Sequence, residues 1–204
     1  MINSTPFEVI AGPATLYIAA YGTTFPLIDA APGGSWTKIG TSGDLNYDEE
    51  GITVEHAQET SPWRALGDAG TRKMFRMSED LRIRVILVDM TLEQYRFALE
   101  HNAVTDTPAS TGVAGIRELG LSRNLDMTAR ALLVRLTGLS PYGSVWNAQY
   151  EIPRAQQTGN PAPVIRKGQP MGLALEWTAL VDTAASTPSE YFGRLVVMDE
   201  EQGT

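Results

Sequence analysis

Alternation of apolar and polar residues with a period of two most constrains what this chain can fold into. In "LRIRVILV", residues 81–88, leucine, isoleucine and valine alternate with Arg82 and Arg84 at the start of the run. In "VWNAQYEI", residues 145–152, apolar and polar residues alternate throughout. Successive side chains of a β-strand point to opposite faces, so each segment is predicted to be a strand with one face in a core.

Six further segments are predicted as strands on the same grounds, over residues 15–21, 35–40, 52–58, 129–136, 172–181 and 191–198. One helix is predicted, over residues 92–101, because Thr91 is a favourable N-cap and Gln94 stands three residues later, as in a capping box. About eight strands and one amphipathic helix predict a mainly β fold, a β-sandwich or barrel with one flanking α-helix and long inter-strand loops. The whole chain, residues 1–204, is predicted to form a single domain.

Three long segments lack a clear period and are predicted as loops, over residues 61–79, 102–115 and 153–170. The first combines Trp63 and Phe75 with several arginines, which is typical of protein interfaces. The third is poorer in apolar residues, so a mobile loop is predicted there. Residues 199–204 are predicted to form a frayed tail.

Charge is distributed unevenly along the chain. Residues 1–60 carry eight acidic residues and one basic residue, whereas residues 61–150 carry eleven basic and nine acidic residues. The net charge of −8 opposes binding to nucleic acid or to an anionic membrane. The segregation favours attraction between copies of the chain, although chance would produce it as readily.

Several kinds of chemistry are excluded by what the sequence lacks. It contains no cysteine, which rules out thiolate metal sites, cysteine nucleophiles and disulfides. It contains no phosphate-binding Walker motif, no G-x-S-x-G and no H-E-x-x-H, so we predict no cofactor. His101, at the end of the predicted helix, is expected to cap carbonyl groups or to face solvent. The apolar runs are far shorter than the ~20 residues of a membrane helix, and the first residues lack the pattern of a signal peptide, so we expect a soluble protein.

The stretch "YDEEGITVEHAQET", residues 47–60, is the main candidate for acid–base or metal chemistry. In a strand that starts at residue 52, however, His56 lies on one face and Glu55 and Glu59 lie on the other. One strand cannot direct His56 and Glu55 towards the same ion. The acidic residues 48–50 precede a glycine, which indicates a solvated turn. We therefore predict no catalytic residue and no metal site.

Residues 36–99 resemble the major tail tube proteins of long-tailed bacteriophages. The resemblance rests on the order of "WTKIG", then "YDEEGITV" leading into a strand, then a long segment with "RALG" and a basic turn, then another strand and the short helix of "DMTLEQ". It covers about a third of the chain well, and residues 116–198 fit more loosely as further strands.

The resemblance implies a non-enzymatic structural protein of the virion tail, made in the host cytoplasm. Proteins of that family form hexameric rings whose inner strands make a continuous β-barrel, and the rings stack into a tube through the long loop. The tube encloses the channel for DNA ejection, through which the tape-measure protein and DNA pass without specific binding. Sheath, terminator and baseplate proteins are further implied partners, and no membrane is involved. The alternatives are another tube or ring component (tail terminator, hub or type VI secretion tube protein) and a carboxylate-dependent β-sandwich hydrolase.

Two groups of residues are predicted to act in such an assembly. The ring-stacking or inter-subunit interface is assigned to residues of the first loop, namely Trp63, Arg64, Leu66, Arg72, Phe75 and Arg76. Acidic residues on polar strand faces are candidates for the channel wall, namely Glu55, Glu59, Glu151 and Glu176. Such carboxylates would keep DNA from the wall or meet a basic loop of a neighbouring subunit, and both roles fit the sequence.

Overall fold

A computed structural model describes residues 10, 12–123, 125–142 and 146–199. The fold is mainly β, with 44% strand and 8% helix, and it is a β-sandwich with one short helix, as predicted. The strands are β1 (Thr15–Ala20), β2 (Thr37–Lys38), β3 (Tyr47–Trp63), β4 (Lys73–Leu87), β5 (Val104–Thr107), β6 (Ile116–Leu119), β7 (Arg130–Leu136), β8 (Ala148–Gln157), β9 (Leu173–Ala179) and β10 (Arg194–Val197). The first nine residues and most of the predicted tail lie outside the described residues.

Eight strands form one antiparallel sheet in the order β2-β1-β7-β8-β9-β4-β3, with β10 beside β8. Strand β8 belongs to both halves of this sheet, since Ile152 pairs with Leu132 of β7 whereas Gln157 pairs with Trp177 of β9. A register shift on the β7 side lies opposite Pro153, which cannot donate a ladder hydrogen bond. The sheet bends at β8, so its two halves pack face to face.

The core lies between these two halves. Ile83 and Leu175 from one half belong to the same buried cluster as Leu16 and Leu132 from the other. Trp177 is the largest fully buried side chain among the described residues. Burial alternates as predicted over residues 81–87 of β4, and Ala148 and Ile152 of β8 face this core as predicted. Residue 145 of the predicted strand 145–152 lies outside the described residues. Within the described residues, no helix has the length and apolar character that a membrane crossing requires.

The helix is shorter than predicted. Helix α1 covers Leu92–Tyr95, and a 3-10 turn continues over Arg96–Ala98. The predicted capping box is wrong: the side chain of Thr91 makes no cap hydrogen bond, and Gln94 accepts a hydrogen bond from the Gly40 amide at 2.8 Å instead. The chain then turns sharply, because residues 100 and 101 both adopt the left-handed backbone conformation.

A strap, defined as residues 21–36, covers the outer face of the first half of the sheet. Arg135 of β7 is 3% exposed, and its guanidinium donates hydrogen bonds to the carbonyl oxygens of Leu27 at 3.1 Å, Ile28 at 2.5 Å and Ala30 at 3.0 Å. Gln149 of β8 donates to the strap as well. Polar side chains of the sheet thus hold a segment that has no strand partners of its own.

All three predicted loops contain strand. Residues 61–63 and 73–79 belong to β3 and β4, residues 104–107 form β5, and residues 153–157 continue β8. These parts were missed for two reasons. The extensions of β3 and β4 are exposed on both faces, so they show no alternation, and β5 and β6 form a separate two-stranded sheet at the surface.

Candidate assembly surface

The hairpin of β3 and β4 extends beyond the sandwich as an arm, defined as residues 58–79. Strand β9 pairs only with residues 82–87 of β4, so within the described part of the chain no further strand pairs with the two strands of the arm. All of its residues are exposed except Ala65 and Asp68, which are partly buried. The arm therefore projects from the molecule as an isolated two-stranded ribbon, which is only marginally stable in water without further contacts.

Large apolar side chains are exposed along this arm. The exposed fraction is 50% for Trp63, 46% for Phe75, 55% for Met74 and 108% for Leu66 at the tip. Trp63 pairs with Lys73, and Phe75 pairs with Ser61, so Trp63 and Phe75 lie on the same face of the ribbon. Clustered exposed aromatic residues mark a surface that binds a partner more often than one that faces water.

Charged and polar contacts within the arm support its shape. Asp68 accepts hydrogen bonds from Arg72 at 2.8 Å and from the Gly70 amide at 3.0 Å, and these two contacts, in that order, lower the pKa of Asp68. Arg64 donates to Thr71 at 3.2 Å. The predicted interface arginines are therefore partly used to shape the tip. Phe75 has the Lys73 ammonium over its ring, 5.0 Å from the centroid, and both Phe75 and Trp63 remain about half exposed.

Arg76 also supports the shape of the arm, nearer to the sandwich. It donates to Gln58 at 3.0 Å across the two strands and to Glu79 at 3.2 Å along its own strand. The six predicted interface residues are all exposed and all lie in the arm.

Strand β3 also offers an unpaired edge. It has 17 residues and ends the strand order of the main sheet, so within the described part of the chain its outer edge pairs with nothing. A long edge strand with free amide and carbonyl groups is a template for pairing with another chain.

The outer face of β3, β4 and β9 brings together three of the four predicted wall residues. Glu55 lies opposite Arg82, and Glu176 lies opposite Arg84, while Glu59 stands further along β3. The face carries both signs of charge, so it is less acidic than the chain as a whole. His56 lies on the other face of β3, opposite Leu81, and the predicted separation of His56 from Glu55 is confirmed.

Glu151 is the exception, and its prediction as a wall residue is wrong. It is 4% exposed, since the strap covers its face of the sheet. Its carboxylate accepts hydrogen bonds from Arg194 of β10 at 2.7 Å and from Gln149. The polar residues of an alternating strand show which residues point away from the core. They do not show whether another segment of the chain covers that face.

A cavity of about 170 Å³ beside this ion pair bears on the hydrolase alternative, because the carboxylates of Glu151, Asp182 and Glu190 line it. Asp182, however, already accepts hydrogen bonds from the Tyr21 hydroxyl at 3.0 Å and from the Ala184 amide at 3.1 Å. Since Glu151 and Asp182 are engaged within the chain and Glu190 lies near Arg194, the arrangement favours a structural role. In the described residues, no group of three or more potential metal-binding side chains occurs.

A second polar cluster was missed by the sequence analysis. Arg96, His101 and Arg130 line one cavity between α1 and the first half of the sheet. The expectation for His101 was wrong, because the ring is half-buried and packs edge-on against Phe97, with ring centroids 5.0 Å apart. Burial, and then Arg130 and Arg96, lower the pKa of His101 to about 3. Arg96 and His101 belong to one local turn, where the His101 amide donates to the Arg96 carbonyl at 2.9 Å, whereas Arg130 comes from β7, so no local motif joins all three.

Comparison of the sequence with known protein families finds no match, and comparison with curated proteins finds no relative.

Proposed function

We propose that this protein is a structural subunit that assembles with copies of itself into hexameric rings, which stack into the tail tube of a long-tailed bacteriophage. The observation that carries the proposal is the arm, an isolated ribbon with Trp63 and Phe75 exposed on one face. In a monomer no further contacts would stabilise such a ribbon, whereas in a stack of rings the neighbouring ring would cover its exposed side chains. The tube identity itself comes from the resemblance of residues 36–99 to tail tube proteins.

Two features of the sheet support side-by-side association. The free edge of β3 can pair with a strand of a neighbouring subunit, and ring closure would remove every such edge at once. The adjoining outer face of β3, β4 and β9 is polar, with Glu55, Glu59 and Glu176 exposed or partly exposed among arginines. A polar face of mixed charge suits the wall of a channel that DNA crosses without specific binding.

The absence of cysteine from the sequence allows a direct test of the arm. Ser61→Cys places a thiol at an exposed position on the same face of the arm as Trp63 and Phe75. Leu125→Cys places a control thiol outside the arm, at a position that is 100% exposed. We expect maleimide to modify both thiols rapidly in dilute protein. In concentrated, assembled protein the reaction at residue 61 should slow strongly, whereas the reaction at residue 125 should change less. Equal reaction rates at residue 61 in both preparations would show that this face of the arm stays uncovered.

A further inference from the structure

The cavity between α1 and the first half of the sheet has an excess of positive charge. Its volume is about 350 Å³, and Arg96, His101 and Arg130 line it together with the hydroxyl-bearing residues Ser35 and Thr37. It lies away from the arm and from the edge of β3. A cavity of this size admits a small oxyanion together with ordered water.

Neither arginine has a full set of polar partners among the described residues, and the guanidinium of Arg96 lies over the Phe97 ring, 6.0 Å from its centroid. The Nε atoms of Arg96 and Arg130 are buried, and neither has a hydrogen-bond partner within the part of the chain that the structure describes. No ion pair within 4.0 Å involves either residue there. Burial, with the charge of Arg96, lowers the pKa of Arg130. Two partly buried cations facing one cavity are costly unless an anion joins them.

The nearby acidic residues do not supply that anion. Glu93 lines the cavity, but its carboxylate binds the guanidinium of Arg117 at 2.6 Å. Glu100 is near Arg130, but it accepts a hydrogen bond from the Thr128 amide at 3.0 Å and lies beyond ion-pair distance of either arginine. The left-handed turn at residues 100 and 101 places the imidazole of His101 beside the arginines, where it adds a neutral hydrogen-bonding group.

We propose that this cavity is an oxyanion site, in which a carboxylate or phosphate group binds between Arg96 and Arg130. Guanidinium groups bind both anions through paired, charge-assisted hydrogen bonds. Two sources would supply the group. One is free phosphate, and the other is a carboxylate of a second copy of this chain, such as the exposed acidic residues 48–50 at the start of β3. The site itself does not depend on the proposed tube.

Phosphate is the probe for the site, and the two histidines of the chain are its reporters. We expect inorganic phosphate, added to full-length protein diluted until it is monomeric, to shift the NMR signals of His101 saturably and to leave those of His56 unchanged. Bound phosphate should also raise the pKa of His101 from about 3, since an anion offsets the two arginines. No saturable change at His101, or equal changes at both histidines, would overturn the proposal.

The variants Arg96→Gln and Arg130→Gln test whether the two arginine side chains bind the anion. Each should weaken phosphate binding roughly tenfold or more, since each removes charged hydrogen bonds to the anion. Arg166→Gln, at an exposed position away from the cavity, should bind phosphate as the wild type does. Without phosphate the two variants should melt close to the wild-type temperature, because neither arginine forms an ion pair among the described residues. Unchanged affinity in both variants would contradict the site, and if neither folds, the His101 titration of the wild type decides.

The same variants separate the two sources of the anion. If the carboxylate of a second copy is the occupant, Arg130→Gln should weaken assembly, and phosphate should compete with assembly. If free phosphate is the occupant, assembly should be unchanged while phosphate binding is lost. Either result supports the oxyanion site. A wild-type protein that binds phosphate but never assembles would contradict the proposed tube and leave the site intact.

Discussion

Replacing Arg135 with alanine should lower the free energy of unfolding by about 3 kcal/mol, because three partly buried carbonyls each lose a charged donor, at about 1 kcal/mol each. The guanidinium serves three strap carbonyls at once, and Arg135 is 3% exposed, so water cannot replace it without opening the strap. The strap also carries Trp36, whose indole donates to the Thr24 carbonyl at 3.1 Å. Urea unfolding followed by tryptophan fluorescence measures the change.

Two controls distinguish loss of the strap contacts from loss of charge. Arg84→Ala removes an exposed arginine from the other half of the sheet and should change stability by no more than about 0.5 kcal/mol. Arg135→Lys keeps the charge but lacks the planar group that reaches several carbonyls. Its loss of stability should therefore lie between the losses of Arg135→Ala and Arg84→Ala. If Arg135→Ala were as stable as Arg84→Ala, the strap would not depend on Arg135.

Trp63→Ala combined with Phe75→Ala should abolish assembly and leave the monomer folded. The two side chains share one face of the arm and are 50% and 46% exposed, so the folded subunit loses little when they are shortened. Buried aromatic residues at interfaces contribute about 2 kcal/mol or more each, and the loss recurs at every subunit of a ring. Sedimentation velocity should show one small species for this variant at concentrations where the wild type sediments rapidly.

The matched control removes the same kinds of exposed side chain elsewhere. Tyr142→Ala combined with Leu125→Ala shortens residues that are 57% and 100% exposed and lie outside the arm. This control should assemble as the wild type does. If the double variant at Trp63 and Phe75 assembled as the wild type does, the arm would not be the assembly surface, even if the protein forms tubes.

The parts of the fold that could be predicted from the sequence are those where a strand has one buried face. Residues 81–87 of β4 alternate because one side meets the core and the other faces outward, and the sequence predicts a strand there from that pattern. Residues 61–79 do not alternate, since both faces of the arm are exposed, and the sequence therefore predicts a loop there. Their composition predicts an interface, because exposed aromatic residues and arginine do not depend on strand geometry, and this stays a prediction.

Burial by non-local segments was not predictable in this way. Glu151 alternates like an exposed residue, yet the strap, more than a hundred positions earlier in the chain, covers it. Arg96 and Arg130 meet at one cavity although they lie in separate elements. The stretch "YDEEGITVEHAQET" was interpreted correctly at His56 because the alternation of a strand is local. Its acidic residues 48–50 are exposed as predicted, but they lie within β3, at the register shift between Tyr47 and Ile52, and not in a turn.

Negative-stain electron microscopy of the purified, full-length protein tests the central claim most directly. The proposed function predicts long tubes of stacked rings with six-fold symmetry and an open channel, formed without any other protein. A preparation that contains only monomers at every concentration would contradict it.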